Sequence, residues 1–136
     1  MSLIQILGYA GLLPFIGLTC LQLWPQLATF PASFIAFQSY SQIILAFMAG
    51  VLWPVLYRHS GKLFPLWVVS FALAGWFSSL LLPKQQLLVL AAAFAALRLF
   101  EYTQQSQLNY SPAYNRLRNH LTTAAVICHL VYWMSL

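Results

Sequence analysis

The side chains able to do chemistry crowd into two short stretches, Arg98-Leu99-Phe100-Glu101 and Tyr114-Asn115-Arg116-Leu117-Arg118-Asn119-His120. Between them they hold three of the six Lys and Arg residues, the only acid and one of the three histidines. Residues three apart on a helix are neighbours, so Arg98 and Glu101 meet. If the intervening loop returns the chain to the same end, Glu101 also bridges Arg98 to Arg116 or Arg118. Such a group serves either as a structural ion-pair cluster near a membrane interface or as a proton-carrying carboxylate; the surrounding cations favour the first.

At about 100° per residue, Asn115, Arg118, Asn119, Thr122 and His129 share one helical stripe. Arg116 and His120 form an adjacent strip, leaving Leu117, Leu121, Ala124 and Cys128 to face away. A polar stripe of this length is costly against lipid and is expected to turn inward. It reads either as a hydrated path or ligand surface, or as interhelical hydrogen bonding worth about 0.6 to 2 kcal/mol per bond.

The elements that position these groups follow from composition. The chain has 136 residues, 62% hydrophobic and only 5% charged, against roughly 25% charged in a soluble domain. Seven charged side chains do not cover a water-facing surface, and the apolar residues come in membrane-length blocks. The expected fold is an all-α polytopic bundle, a single domain over residues 1–136 with about five transmembrane helices near 3–24, 39–57, 63–82, 86–102 and 113–134. The net charge of +5 does not point to nucleic acid, because the cations flank apolar runs, where they set topology and meet anionic lipid.

Proline and glycine punctuate the spans. Pro14 cannot donate to the carbonyl of Ala10 and predicts a kink; Pro54 does the same to the carbonyl of Gly50. Pro25, Phe30, Pro31, Phe34 and Phe37 mark either an interfacial segment or an early start of the second helix. Ser39, Gln42, Ala46, Gly50, Trp53 and Tyr57 share a face of that helix. Ala46 with Gly50, and Gly75 with Ser79, are small-residue pairs that permit close helix approach. Arg58, His59, Gly61 and Lys62 form a basic turn, Pro83 to Gln86 a tight turn, and Thr103 to Ser111 a polar loop. Ser111 and Pro112 supply an N-cap and first residue for the last helix.

Five spans place Arg58, Lys62, Arg98, Arg116 and Arg118 on the side of the N-terminus and Lys84 on the other. That bias predicts a bacterial inner-membrane protein with a cytoplasmic N-terminus and a periplasmic C-terminus.

Three stretches carry a resemblance. Leu7-Gly8-Tyr9-Ala10-Gly11-Leu12-Leu13-Pro14-Phe15 is the first. Tyr40 with Ile44-Leu45-Ala46-Phe47-Met48-Ala49-Gly50-Val51-Leu52-Trp53 is the second. Tyr114-Asn115-Arg116-Leu117-Arg118 is the third and sharpest. In order and spacing they resemble a bacterial domain-of-unknown-function family related to animal mitochondrial transmembrane protein 69. The family's second-span pattern, approximately Phe-Leu-Gly-Gly-Val-His-Trp-Gly, has Leu52 here in place of its histidine, Ala49 for one glycine and Pro54 for the last. A role resting on that histidine does not carry over. The resemblance implies the architecture and membrane location, and no biochemical activity.

The remaining chemistry is sparse. One acid leaves little for general acid–base work, and nucleophile, phosphate-loop and zinc-helix motifs are absent, so an enzyme is not expected. His120 and His129 sit on roughly opposite faces about 13 Å apart along a helix and do not clamp one haem. Adjacent Cys128 and His129 diverge, and whether Cys20 meets Cys128 is open; no metal or cofactor is expected. The expected partners are membrane lipids, including anionic headgroups, and a membrane protein or a second copy of the chain. The leading functional reading is an accessory or assembly component of a membrane complex, motivated by short loops and few titratable groups. The alternative is a small transporter or channel along the polar stripe.

Overall fold

A computed structural model describes residues 2–24, 26, 32–56, 58 and 63–136. Pro25, Phe30, Pro31, Tyr57, His59, Gly61 and Lys62, on which the sequence raised expectations, lie outside the described residues. The described residues form helices and turns, with no strand among them.

The first span is two helices. Ser2 caps α1 (Leu3–Ala10) in a reciprocal box with Gln5: the Ser2 hydroxyl accepts from the Gln5 N–H, and the Gln5 side chain accepts from the Ser2 N–H. The Gly11–Leu12 turn separates it from α2 (Leu13–Leu23), which carries Pro14 in its first turn. The ring suits a first turn, where the missing N–H has no intrahelical partner, and is excluded from a helix interior.

The second span starts well before Ser39: α3 is Ala32–Gly50. The early start is fixed by packing, since Phe34 and Phe37 are buried against Tyr132, with ring centroids 5.9 and 4.7 Å away. Pro54 splits off α4 (Trp53–Leu56) behind a turn at Val51–Leu52. After α5 (Phe64–Ser78) the chain tightens through i→i−3 bonds, Leu80 to Phe77 and Leu81 to Ser78, ending the helix four residues earlier than expected.

The expected tight turn from Pro83 is instead the first turn of α6 (Pro83–Thr103), because proline's fixed φ is pre-set for the first helical position. The polar loop contains one helical turn, α7 (Gln105–Leu108), closed by Asn109 in the left-handed region at φ 50°. The last helix, α8 (Pro112–Ser135), begins with the Ser111 hydroxyl accepting from the Tyr114 N–H at 3.2 Å.

Successive segments alternate in direction. Tyr9 meets His120 and Phe15 meets His129, so α1–α2 runs alongside α8 in the same sense. Phe34 meets Tyr132 and Lys84 lies over Trp133, so α3 and α6 run against α8. Phe64 meets Phe100, so α5 runs against α6. Phe15, Phe37 and Phe94 surround His129 at the centre, with Leu45, Leu87 and Leu90 completing a core that excludes solvent.

The outer surface is hydrocarbon: Leu3, Ile4, Phe47, Leu66, Leu82 and Met134 are each about two-thirds exposed or more. Leu3–Leu23, Ala32–Val55 and Pro83–Thr103 are long and apolar enough to cross a membrane, and Phe64–Ser78 is a shorter apolar helix. At roughly 36 Å, α8 has the length to cross, with its polar residues concentrated in the first half. The molecule is an all-helical polytopic membrane bundle.

Candidate functional site

The last turns of α6 lie beside the first turns of α8, and six side chains interlock there. Glu101 is 1% exposed. Its Oε2 accepts from Arg98 Nη1 at 2.9 Å and from Arg118 Nε at 3.1 Å. Its Oε1 is ion-paired with Arg118 Nη2, so Arg118 holds the carboxylate with both prongs of its fork. Arg98 spends its remaining donors on α8. Nε donates to Asn119 Oδ1 at 2.8 Å, and Nη2 donates to the side-chain and backbone oxygens of Asn115 at 3.2 Å each.

Tyr102 was not among the residues singled out from sequence, and it belongs to the group. Its hydroxyl donates to Asn119 Oδ1, and its ring centroid lies 4.3 Å from the Arg98 guanidinium carbon. The signal was available, since Tyr102 stands one helical turn after Arg98. Buried charges are tolerated only when their donors and acceptors are met, which this network does for Glu101 and Arg98. Two cations around one anion leave the cluster with one excess positive charge.

The other singled-out residues lie apart. Arg116 is exposed on the outer strip of α8, so Glu101 bridges to Arg118 and not to Arg116. Thr122 is buried one turn beyond Arg118. His129 has no exposed surface; its Nδ1 bonds the carbonyl of Ala125 at 2.7 Å, and its Nε2 has no hydrogen-bond partner among the described residues. Outside the spans, burial and the neighbouring Tyr114 push the Tyr110 phenol well above its ordinary pKa.

One expectation is overturned. Leu117, Leu121, Ala124 and Cys128 do not face away: Leu117 and Cys128 are buried and the other two are half-buried. The reason is that α8 is covered on two sides, by α6 on the polar stripe and by α1–α2 on the apolar one. Gly8 permits this, since a Cβ there would meet Leu117 Cδ2 at 2.9 Å. Past the first turn, Arg116, His120, Thr123, Ile127, Leu130 and Met134 form the exposed outer strip. Of these, His120 reaches Tyr9, its Nδ1 lying 2.8 Å from the hydroxyl.

The small-residue face of α3 also divides. Gln42 leans onto α5, donating to the carbonyl of Gly75 at 2.9 Å and to Ser78 Oγ at 3.3 Å. Ser39, Ala46, Gly50 and Trp53 are exposed. Gly75 is the contact point with α3, and Ser79 turns outward and bonds its own helix.

Against the apolar side of α8, α1, the Gly11–Leu12 turn and the second half of α3 enclose a cavity of about 360 Å³. Its walls are hydrocarbon apart from Tyr114 and Arg118. Cys20 and Cys128 are both free thiols, one exposed and one buried. Among the described residues no three His, Cys, Asp or Glu side chains converge on a metal-sized site.

No curated protein and no solved structure matches the chain. The family described as "Protein of unknown function (DUF3429)" matches it over residues 1–134. A match that runs through α1–α2, the polar cluster and nearly all of α8 makes this chain a member of that family.

Proposed function

We propose that the protein is an accessory or assembly component of a membrane complex, docking through the outer face of α3. One observation carries this reading. Ala46 and Gly50, one turn apart, are exposed, and a Cβ on Gly50 would meet nothing within 4 Å. Small residues let helix backbones approach, and the close packing this allows is one of the forces that associate helices in lipid. The chain uses that property internally at Gly8 and Gly75, and leaves it unused at Ala46 and Gly50. The charged cluster, by contrast, holds α6 to α8.

The test is the native mass and subunit composition of the protein extracted gently from its own membrane. A defined assembly with a second polypeptide is expected, lost in Gly50→Leu while the chain stays folded. A monomer, or a homo-oligomer alone, would overturn the accessory role.

A small transporter or channel is the second reading, favoured by a specific feature. The breaks at Gly11–Leu12 and Val51–Leu52, both set by prolines, border the same cavity. Interrupted helices beside a site are a transporter device. Against it, Asn115, Arg118 and Asn119 are engaged with α6, and three phenylalanines enclose His129. Solute flux in liposomes decides it.

In the same proposal the membrane is a bacterial inner membrane, the N-terminus is cytoplasmic, and the family is kin to animal mitochondrial transmembrane protein 69. The five-to-one bias of Arg58, Lys62, Arg98, Arg116 and Arg118 against Lys84 supports the orientation.

A further inference from the structure

The cavity against α8 has a polarity that the packing of the bundle does not require. Its walls include Leu7, Leu12, Phe47 and Val51, and its rim residues Ile4, Leu7 and Phe47 are 65%, 62% and 69% exposed. Part of its rim is therefore the hydrocarbon surface of the bundle. At 360 Å³ it lies near the lower end of ligand-site volumes, about 300–1,000 Å³.

Deep in this apolar slot stands Arg118, itself 2% exposed. Its Nε and Nη2 are spent on Glu101, while Nη1 makes no hydrogen bond among the described residues. The cluster behind it carries one uncompensated positive charge, because Arg98 and Arg118 share the single acid. Tyr114 adds a phenol to the lining. Arg118 lies about 9 Å along α8 from Pro112, toward the end of the bundle that also holds exposed Arg58 and Arg116. That depth suits the inner edge of a headgroup layer.

We propose that this cavity binds one monoanionic phospholipid from the surrounding bilayer, with one acyl chain along the apolar wall and the phosphodiester against Arg118. The exposed hydrocarbon rim favours a lipid over a water-borne solute, and the single excess charge selects an anionic one. The inference stands independently of the accessory reading, which uses the outward Ala46–Gly50 face.

The experiment places the full chain in nanodiscs of phosphatidylcholine containing phosphatidylglycerol, and counts retained lipid by native mass spectrometry. One phosphatidylglycerol per chain is expected, retained at least about tenfold better than phosphatidylcholine. Val51→Trp fills the slot without touching the ion cluster; it is expected to abolish retention while melting like the parent in pure phosphatidylcholine. The triple change Arg98→Gln, Glu101→Gln and Arg118→Gln, which takes the cluster to zero charge, is expected to abolish the preference for the anionic lipid. Equal retention of the two lipids would overturn the proposal, even if neither variant folds. So would unchanged retention in a folded Val51→Trp protein, or displacement of phosphatidylglycerol by an equimolar amount of oleate.

Discussion

The Tyr40 hydroxyl donates to the carbonyl of Gly11 at 2.7 Å, reaching from the middle of α3 into the break between α1 and α2. Among the described residues no backbone N–H reaches that carbonyl. An orphaned carbonyl in a membrane must find a partner within the protein. Tyr40→Phe keeps the ring on Phe15, whose centroid is 5.0 Å away, and removes only the bond. The expected cost is about 1–2 kcal/mol, with faster amide exchange confined to the Gly11–Leu12 junction. An unchanged melting temperature and exchange pattern would show that the bond does not hold the break.

Glu101→Gln leaves Arg98 and Arg118 as buried cations with no acid between them. Breaking a buried pair in this way costs about 3–5 kcal/mol, so the variant is expected to lose folded protein in fluorescence-detected size exclusion. Arg116→Gln, on the exposed strip, is expected to behave like the parent. A Glu101→Gln protein with full stability and lost activity would instead assign the carboxylate a proton-carrying role.

How much of this arrangement could be read beforehand depends on what distinguishes one side of a helix from the other. The meeting of Arg98 with Glu101 was legible, because three-residue spacing fixes it. The choice of Arg118 over Arg116 was less so, since both stand on the helix start that the loop brings back, about 200° apart. The breaks at Pro14 and Pro54 were legible from the missing N–H groups. The inward turn of Leu117 and Cys128 was not: in lipid an apolar side chain is equally at home outside and inside, so hydrophobicity does not mark the packed face. For the same reason Ala46–Gly50 and Gly75–Ser79 look alike in sequence, yet only Gly75 meets a neighbouring helix.

A reporter active only in the periplasm, fused after Leu136, is expected to work, and one fused before Ser2 is expected to be silent. The alternating directions of the segments and the charge bias both lead to this result. A silent fusion after Leu136 would require an even number of crossings or the opposite orientation.

Gly75→Leu is expected to separate α5 from α3. A Cβ at this position would already meet Leu45 Cδ2 at 3.3 Å and lie 3.9 Å from Gln42 Cα. A larger side chain has to push the helices apart and break the Gln42 bond to the Gly75 carbonyl, at about 1–3 kcal/mol for overpacking. Gly50→Leu, facing open space, is expected to leave the isolated chain's melting temperature unchanged. Similar melting of the two variants would remove the distinction between the inner and outer small-residue faces.

His129 occupies the centre of the core, yet its packing assigns it no bond that the fold depends on. Its Nδ1 contacts the carbonyl of Ala125, a group that the helix already pairs with the backbone N–H four residues on. Its Nε2 is buried without a partner among the described residues, which costs about 1–3 kcal/mol for a polar group. Leucine is similar in volume, has no polar atom to desolvate and presents hydrocarbon to Phe15, Phe37 and Phe94. His129→Leu is therefore expected to melt at the same temperature as the parent or higher, in detergent and in nanodiscs alike. A fall of several degrees would mean that the imidazole makes a stabilising contact that its ring packing and the Ala125 carbonyl do not account for. Retained stability with loss of the protein's membrane function would place His129 in that function, since the scaffold itself has no need of the ring nitrogens.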